Sequence, residues 1–394
     1  MIKISAAFLI ASLTSIVTIL GCKAKQEVVT IEQEVEIIQD RAPLTSEPGR
    51  TPTNIILLIG DGMGITQISA GLYSNSNYLN LERIQTIGLH KSYSSDKLVT
   101  DSAAGATAFA CGVKTYNGAI GVDADTVPVK TILEEAEEMG LKTGLVATSS
   151  IVHATPASFI AHNPYRKNYE AIAADFLKTE IDYFVGGGAK FFERRESDDR
   201  NITQELVAKG YKMSNFFEAD LQDITLEPTD KFGFLTAEDG AVPVAQGRDY
   251  FPLATTMGIE HLHKNNPNGF FLMAESSQID WGGHANDANW IITEMLEFDK
   301  VIGQVLDFAE KDGNTLVIVT ADHETGGFSI NSESELNSLV TAFTTDYHTA
   351  DLIPVFAYGP GSEHFAGIYE NTAIYNKMRT ALGWAPVSPA LPRD

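Results

Sequence analysis

The sequence predicts an α/β fold built around a mostly parallel β-sheet. Its strongest strand candidates are continuous apolar runs, and such runs are typical of parallel strands that are covered on both faces. Between them lie stretches with apolar residues at helical spacing, and this alternation favours parallel strands joined by helices. The chain has 394 residues, of which 44% are hydrophobic, so it can bury the core of one large domain or two ordinary ones.

The elements can be assigned in chain order. Residues 54–59 form the first predicted strand, which ends in the glycine-rich turn 60–64 and leaves Asp61 at its carboxyl end. Further strands are expected at 141–149, 182–185, 270–274, 315–319 and 353–357, and helices at 130–139 and 289–312. Residues 190–250 are polar and lack a clear period, so we expect a small cap or irregular insert over the core there.

The N-terminal segment is expected to lie outside the folded domain. Residues 1–21 are predicted to be a signal peptide, because Lys3 precedes an uncharged apolar stretch that ends before Cys22. The small residue before Cys22 resembles the cleavage site of a bacterial lipoprotein, which predicts lipidation of Cys22; an ordinary signal peptide or an uncleaved anchor stays open. Residues 22–52 are rich in Glu, Gln, Thr and Pro and are predicted to be a flexible tether before the folded domain, 53–394.

The charge balance argues against one class of partner. The chain carries 52 acidic residues against 28 Lys and Arg, a formal net charge of −24. Non-specific nucleic-acid binding needs cations that neutralise phosphates, so no nucleic-acid partner is expected. An anionic substrate would need local positive charge of its own. With Cys22 lipidated, Cys111 would be the remaining cysteine, and no intramolecular disulfide is expected.

Asp101 and Ser102 stand directly before a run of small residues, 103–108, that suits a buried helix. Serine is a preferred residue at a helix N-cap, which is one interpretation of Ser102. The other is a nucleophile, because free backbone N–H groups and the positive end of the helix dipole favour an anion at that position. The local sequence leaves both interpretations open.

Several residues that could hold a metal follow predicted strands or lie near their ends: Asp61, Thr155, Glu275, Asp280, His284, Asp322 and His323. Because the carboxyl ends of parallel strands meet at one edge of a sheet, we expect these side chains to converge. Asp280 and His284 are four residues apart, so one turn of helix would place both on one face. Carboxylates mixed with imidazoles suit Zn²⁺, whereas an all-oxygen set suits Mg²⁺. The pattern therefore predicts a metal site.

The segment 99–108, followed by 112–118, resembles the nucleophile segment of bacterial alkaline phosphatases. Further motifs match this family in the same order between residues 54 and 365; they are 60–64, 154–157, the spacing of Glu275, Asp280 and His284, 320–327, and 348–350 before 356–360. The resemblance implies a three-layer α/β sandwich with a central, mostly parallel sheet. It also implies metal-dependent hydrolysis of phosphate monoesters at alkaline pH, through a phosphoserine intermediate on Ser102.

The resemblance implies two Zn²⁺ and one Mg²⁺ per subunit. The first zinc would be held by Asp280, His284 and His348, the second by Asp61, Asp322 and His323 with the Ser102 oxygen, and magnesium by Asp61, Thr155 and Glu275. His364 is a rival for the third histidine of the first zinc. His348 is preferred because it precedes the strand that leads to 358–360, as the family's histidine does, whereas His364 follows that strand.

The phosphate side of the expected site is formed by four residues. Arg166 would grip the phosphate oxygens, and Asp101 would orient its guanidinium. His153 and Trp281 stand where the best-known bacterial branch of the family has Asp and Lys, so the chain resembles the His/Trp branch. Without that acid and lysine we expect faster phosphate release and looser metal binding.

The family is usually dimeric, so a homodimer is expected, and the export signal predicts a periplasmic or cell-envelope protein. A phosphodiesterase or sulfatase of the same superfamily is an alternative, although Ala-Ala-Gly after Ser102 does not fit the sulfatase pattern. A second alternative is a surface lipoprotein that binds metal or phosphate without catalysis. Such a protein would be expected to lack the nucleophile or one zinc set, and the sequence lacks neither.

Overall fold

The computed structural model describes residues 27–30 and 42–385. The predicted signal peptide and Cys22 lie outside the described residues. The strands are β1 (Glu27–Thr30), β2 (Asn54–Gly60), β3 (Thr86–Lys91), β4 (Lys142–Ser150), β5 (Tyr183–Gly187), β6 (Tyr211–Asn215), β7 (Lys231–Leu235), β8 (Phe270–Ser276), β9 (Thr315–Thr320), β10 (Glu324–Thr325), β11 (Ser329–Ile330), β12 (Ser338–Ala342), β13 (His348–Thr349), β14 (Leu352–Tyr358) and β15 (Gly367–Glu370). The α-helices are α1 (Ile65–Ser74), α2 (Ser102–Cys111), α3 (Ile132–Glu138), α4 (Ala154–Ile160), α5 (Tyr169–Asp175), α6 (Ala189–Glu193), α7 (Ile202–Ala208), α8 (Tyr250–His263), α9 (Gln278–Ala285), α10 (Ala288–Asp312) and α11 (Ala373–Ala381).

Ten strands form one large sheet in the order β15-β3-β14-β9-β2-β8-β4-β5-β7-β6. Strand β14 runs antiparallel to both of its neighbours, β3 and β9, and the other pairs are parallel. The central strands β2, β8 and β9 are buried along their whole length, which explains their continuous apolar sequences. The predicted mostly parallel sheet is confirmed.

Helices cover both faces of this sheet, and successive residues of β2 point to opposite faces. Ile55, Leu57 and Ile59 belong to the apolar cluster that includes α2, α3, α4, α5 and α11. Ile56 and Leu58 belong to the second cluster, which includes α1, α8 and α10. This period of two separates the helices into two layers with the sheet between them, so the fold is a three-layer α/β sandwich.

Residues 190–250 correct one expectation, because they are not an irregular insert throughout. Strand β7 pairs with β5, and β6 pairs with β7, so this region extends the main sheet at its edge. Only the first and last residues of β6 are buried. An edge strand exposed in this way accepts polar residues, and they hide the strand pattern in the sequence. Residues 216–230 and 236–249 are irregular apart from short 3-10 turns.

The described part of the predicted tether also contacts the folded domain. Strand β1 pairs antiparallel with β12, and Leu44 is buried and forms a bridge with Ile84. Most of these contacts are backbone hydrogen bonds, which do not depend on the type of side chain. The polar composition of the segment therefore did not indicate them. Over the part of the chain that the structure describes, the helices are too short or too polar to cross a bilayer.

Candidate active site

Three adjacent parallel strands bring carboxylates to the same edge of the sheet. Asp61 directly follows β2, Glu275 is the second-last residue of β8, and Asp322 lies two residues beyond β9. Because β2 lies between β9 and β8, the three side chains converge at the carboxyl ends of the strands. All three are completely buried. The structure thus brings together the acids that the sequence placed at separate strand ends.

Ser102 is the first residue of α2, but it is not the N-cap. Asp101 is, and its side chain accepts a hydrogen bond from the backbone N–H of Ala104 at 3.0 Å. The Ser102 hydroxyl is therefore free of the capping role, and its Oγ lies 3.3 Å from Nε2 of His323. The helix approaches the ligand loop closely, since a Cβ at Gly105 would lie 3.0 Å from Cβ of Asp322. Of the two interpretations of Ser102, this placement favours the nucleophile.

Asp280, His284 and His348 form the first ligand group, with ligand atoms within 4.8 Å of one another. Nε2 of His284 lies 3.4 Å from Asp280 Oδ2, and Nε2 of His348 lies 3.5 Å from Asp280 Oδ1. The Nδ1 atoms of the two histidines are 2.7 and 2.8 Å from backbone carbonyl oxygens, so each donates its proton there. Their Nε2 lone pairs then face each other at 3.1 Å, an arrangement that a cation between them would stabilise.

The second group consists of Asp61, Asp280 and His323, whose ligand atoms also lie within 4.8 Å of one another. Nε2 of His323 is 3.6 Å from Asp61 Oδ1 and 3.2 Å from Asp322 Oδ2. The three residues expected at the second zinc, Asp61, Asp322 and His323, are therefore together. Asp280 lies close to both groups, which the sequence did not indicate. His364 is in neither group among the described residues, whereas His348 is in the first.

Thr155 and Glu275 supply further buried oxygens beside Asp61. Thr155 is the second residue of α4 and is completely buried. Glu275 Oε2 accepts a hydrogen bond from Ser149 Oγ at 3.4 Å. Burial, together with the charges of Asp322 and Asp280, raises the pKa of Glu275 to about 7.

The strongest indication of a metal site is a set of buried oxygen atoms that have no hydrogen-bond partner among the described residues. It comprises both carboxylate oxygens of Asp61, Oγ1 of Thr155, Oε1 of Glu275 and Oδ2 of Asp322. A buried polar atom without a partner is costly, and most proteins have few of them. Burial, followed by the charges of Asp322 and Asp280, raises the pKa of Asp61 well above its ordinary value. Divalent cations fit this oxygen set, because they would satisfy the unpaired atoms and offset the repulsion.

On the phosphate side, Arg166 Nη1 donates to Asp101 Oδ2 at 2.9 Å, as expected. The backbone N–H of Arg166 donates to the Gly118 carbonyl at 2.7 Å, which fixes the loop between α4 and α5. Arg166 Nη2 lies 3.5 Å from His153 Nε2. Burial and then the Arg166 charge lower the pKa of His153 to about 4, so the imidazole is neutral. The Trp281 ring packs edge to face against the His153 ring, with 6.1 Å between the ring centroids. The four residues predicted for the phosphate side are therefore neighbours in the structure.

Two further residues lie beside the ligand groups, and sequence reasoning gave them no role. The Thr325 hydroxyl donates to Asp280 Oδ1 at 2.5 Å and lies 3.2 Å from His323 Nδ1, which can donate to it. Glu324 accepts hydrogen bonds from the Gln67 amide at 2.7 Å and the Thr349 hydroxyl at 2.6 Å. Both lie in the motif 320–327, but only the pairing of β10 with β13 shows what they contact.

The sequence profile described as Alkaline phosphatase matches residues 52–342, more than half of the chain. The chain belongs to the alkaline phosphatase family. It is 36% identical to alkaline phosphatase 3 of Bacillus subtilis, with 84% of this chain and 88% of that protein covered. It is 32% identical to the alkaline phosphatase of Escherichia coli K12, with 87% and 88% covered. The predictions of the family and of the enzyme class, alkaline phosphatase, are confirmed.

Solved alkaline phosphatases share the architecture. The enzyme from the Antarctic bacterium TAB5 is 46% identical and superposes with a TM-score of 0.81, covering 85% of this chain and 99% of its own. A histidine-to-aspartate variant of the TAB5 enzyme has magnesium bound in its M3 site. These comparisons confirm the predicted fold and support metal ions as cofactors of the family.

Proposed function

We propose that this protein hydrolyses phosphate monoesters to an alcohol and inorganic phosphate, with Ser102 as the nucleophile. The observation that carries the proposal is the position of Ser102. Its Oγ lies 3.3 Å from His323 Nε2, inside the ligand set, while its neighbour Asp101 holds the guanidinium of Arg166 beside it. A nucleophile between metal ligands and a phosphate-binding arginine suits phosphoryl transfer.

Each residue has a defined part in the reaction. The Ser102 oxygen attacks phosphorus, the bond to the leaving oxygen breaks on the opposite side, and the phosphoryl group is transferred to Ser102. Water then attacks the phosphoserine, which releases phosphate and restores the serine hydroxyl. Arg166 donates N–H groups to two phosphate oxygens, and Asp101 keeps the guanidinium plane in place. Metal ions, when bound, would supply Lewis-acid activation of the serine hydroxyl and charge neutralisation, which is also why we expect an alkaline optimum.

We propose that this site holds two Zn²⁺ and one Mg²⁺, as the family resemblance implies, and the chemistry of the ligands supports this. Asp280, His284 and His348 offer two imidazoles and a carboxylate, a set that suits zinc. The second zinc would be held by Asp61, Asp322 and His323. Asp61, Thr155 and Glu275 offer only oxygen, a set that suits magnesium.

We propose that this chain belongs to a His/Trp branch of the family, because it carries His153 and Trp281 where the best-known bacterial branch has Asp and Lys. Neither side chain supplies the acid or the ammonium group of the Asp/Lys branch, so we expect faster phosphate release and looser metal binding. The double variant His153→Asp/Trp281→Lys should therefore be inhibited by lower concentrations of inorganic phosphate than the wild type. Equal inhibition of the two proteins would contradict this assignment.

The remaining expectations concern location and assembly. We propose that residues 1–21 are removed on export, that Cys22 is lipidated, and that residues 22–52 link the anchor to the domain 53–394 in the periplasm or cell envelope. Cys22→Ala should release the protein from the membrane fraction, and persistent membrane association would contradict the anchor. We also expect a homodimer, and a monomeric mass in light scattering would contradict it.

The decisive assay is hydrolysis of p-nitrophenyl phosphate at a pH of about 9–10, where hydroxide chemistry is favoured. It should be run with and without EDTA, with zinc restored, and with Ser102→Ala. Activity that is lost with the chelator, restored by zinc and strongly reduced in Ser102→Ala supports the proposal. If the protein loaded with zinc and magnesium is inactive on monoesters, the proposal is wrong, and phosphate diesters are the next substrates to assay.

A further inference from the structure

Tyr347 is the outermost ring of a stack that leads from solvent to the nucleophile. Its ring lies on the ring of His348, with 4.3 Å between centroids and 7° between planes. The other face of His348 lies on His323, at 3.5 Å and 16°. His323 contacts the Ser102 hydroxyl, so three parallel rings connect Tyr347 to the reacting oxygen.

The Tyr347 side chain is still 47% exposed, and its ring centroid lies 5.9 Å from that of His284. Tyr347 thus touches both histidines of the first ligand group. Among the described residues, no hydrogen-bond partner occupies the Tyr347 hydroxyl.

The backbone holds the Tyr347 ring in place. Its carbonyl accepts a hydrogen bond from Gly326 N at 2.9 Å, and its own N–H donates to Thr345 Oγ1 at 3.1 Å. Next to it, His348 pairs with Thr325 in the two-residue sheet of β10 and β13. A ring fixed in this way loses little conformational freedom when a ligand packs against it.

The direction of the reaction places the leaving alcohol near this ring. Ser102 attacks from the side of His323, and in an in-line displacement the leaving oxygen departs on the opposite side of phosphorus. The first ligand group shares Asp280 with the group beside Ser102, so we assign the leaving oxygen to it. Tyr347 contacts both of its histidines. The phosphoryl group itself stays with Arg166.

We propose that Tyr347 binds the leaving group of the substrate and that the protein prefers phosphate monoesters of aryl or heteroaryl alcohols to those of small aliphatic alcohols. The inference rests on the proposed monoesterase function. An aromatic leaving group packs on the exposed part of the Tyr347 ring, offset or edge to face. A small aliphatic alcohol cannot make this contact.

The test compares kcat/KM for p-nitrophenyl phosphate and glycerol 2-phosphate in the wild type, Tyr347→Leu, Tyr347→Phe and Tyr347→Trp. The two esters form the same phosphoserine, so kcat can report a shared later step, whereas kcat/KM reports the step in which the alcohol leaves. Because the same pair of esters is used throughout, their different chemical reactivity cancels between variants. Tyr73, which is exposed on α1, offers the matched control Tyr73→Leu.

In Tyr347→Leu we expect kcat/KM to fall about three- to tenfold more for the aryl ester than for the glycerol ester. Tyr347→Phe and Tyr347→Trp should keep the wild-type ratio within about twofold, and Tyr73→Leu should leave both values unchanged. Zinc content and inhibition by inorganic phosphate are measured in every variant. An equal fall for both esters, with or without loss of zinc, or no fall in Tyr347→Leu, would overturn the inference. A wild type inactive on both esters would instead overturn the proposed function.

Discussion

Two groups of buried carboxylates in this protein balance their charge in different ways. Glu294 and Glu297, on α10, both accept hydrogen bonds from the Arg248 guanidinium, and Glu294 Oε1 also accepts one from Val244 N at 3.0 Å. The three charged side chains are at most 9% exposed. This cluster contains its own cation, and it fixes the loop before α8 to α10.

Among the described residues, no Lys or Arg pairs with the carboxylates of the active site, although the His323 imidazole lies 3.2 Å from Asp322 Oδ2. Asp61, Glu275 and Asp322 are completely buried, and each has at least one oxygen without a hydrogen-bond partner. The nearby arginine, Arg166, donates to Asp101 instead. The difference teaches that burial of acids alone does not mark a metal site. What distinguishes the active site is that its carboxylates converge while their oxygens stay unpaired.

The largest expected difference is in the response to metal removal. EDTA should lower kcat/KM for p-nitrophenyl phosphate at least about 10³-fold, because the metals supply several kcal/mol of charge stabilisation in the transition state. Zinc should restore the activity. Initial rates, with residual metal measured by atomic spectroscopy, test this. If the metal-free protein keeps more than a tenth of the rate, the active-site carboxylates do not depend on metal for catalysis.

The second difference is in stability. Glu294→Gln should lower the free energy of unfolding by about 3–5 kcal/mol, equally with zinc and with EDTA, because it breaks a buried ion pair that no metal completes. Asp61→Asn should raise the stability of the metal-free protein by about 1–3 kcal/mol, because it removes a buried carboxylate that Asp322 and Asp280 repel. Urea unfolding in both conditions measures the two effects. Metal-dependent destabilisation by Glu294→Gln, or destabilisation of the metal-free protein by Asp61→Asn, would contradict the comparison.

Thr325 offers a third test, because its hydroxyl hydrogen-bonds to a member of each of the two ligand groups of the active site. Thr325→Val keeps the shape but removes the hydrogen bonds to Asp280 and His323. We expect zinc affinity to fall about 10–100-fold, as is usual when a hydrogen bond that orients a metal ligand is lost. Competition with a chelator of known affinity measures this. Thr293→Val is the control, since the Thr293 hydroxyl, within the described part of the chain, bonds to the helix carbonyls of Asn289 and Trp290. Equal zinc affinities in the two variants would refute the role of Thr325.

The sequence predicted the buried strands and the acids that follow them, but it did not predict the edge strand or the contacts made through the pairing of distant segments. Strands such as β2 and β9 were predictable because both of their faces are buried, and Asp61 and Asp322 were predictable because each lies just beyond such a strand. Strand β6 was hidden by its exposed edge. The sequence indicated no role for Thr325 and Tyr347, because their contacts depend on the pairing of β10 with β13. In that pairing Thr325 lies opposite His348, which is 23 residues further along the chain. Local periodicity carries no information about that pairing.

Glu137, on α3, avoids a buried negative charge in a third way, and we expect its effect on stability to be the smallest of those considered. It accepts hydrogen bonds from Thr143 Oγ1 at 3.2 Å and Glu180 N at 3.0 Å. Burial, and then the charges of Asp182 and Glu134, raise its pKa from 4.5 to about 7, so this carboxyl takes up a proton instead of a cation. The folded state therefore binds more protons than the unfolded state between pH 4.5 and 7. The stabilisation that Glu137 adds to the folded state is present below this pH window and is lost as the pH rises through it.

Glu137→Gln should remove about 1 kcal/mol of this pH dependence, allowing for the partial exposure of the side chain. The measurement is the free energy of unfolding of wild type and variant between pH 5 and 8, with EDTA present in both, so that the active-site carboxylates contribute equally. Parallel pH profiles for the two proteins would show that Glu137 does not titrate in this window.

The most direct test of the central claim is anomalous X-ray scattering at the zinc edge from crystals of the zinc-loaded protein. Two peaks are expected, about 4 Å apart. One should lie among Asp280, His284 and His348, the other among Asp61, Asp322 and His323, each about 2.0–2.2 Å from its ligand atoms. No peak beside Ser102, or zinc bound only elsewhere on the protein, would contradict the conclusion that the unpaired carboxylates of this site hold metal.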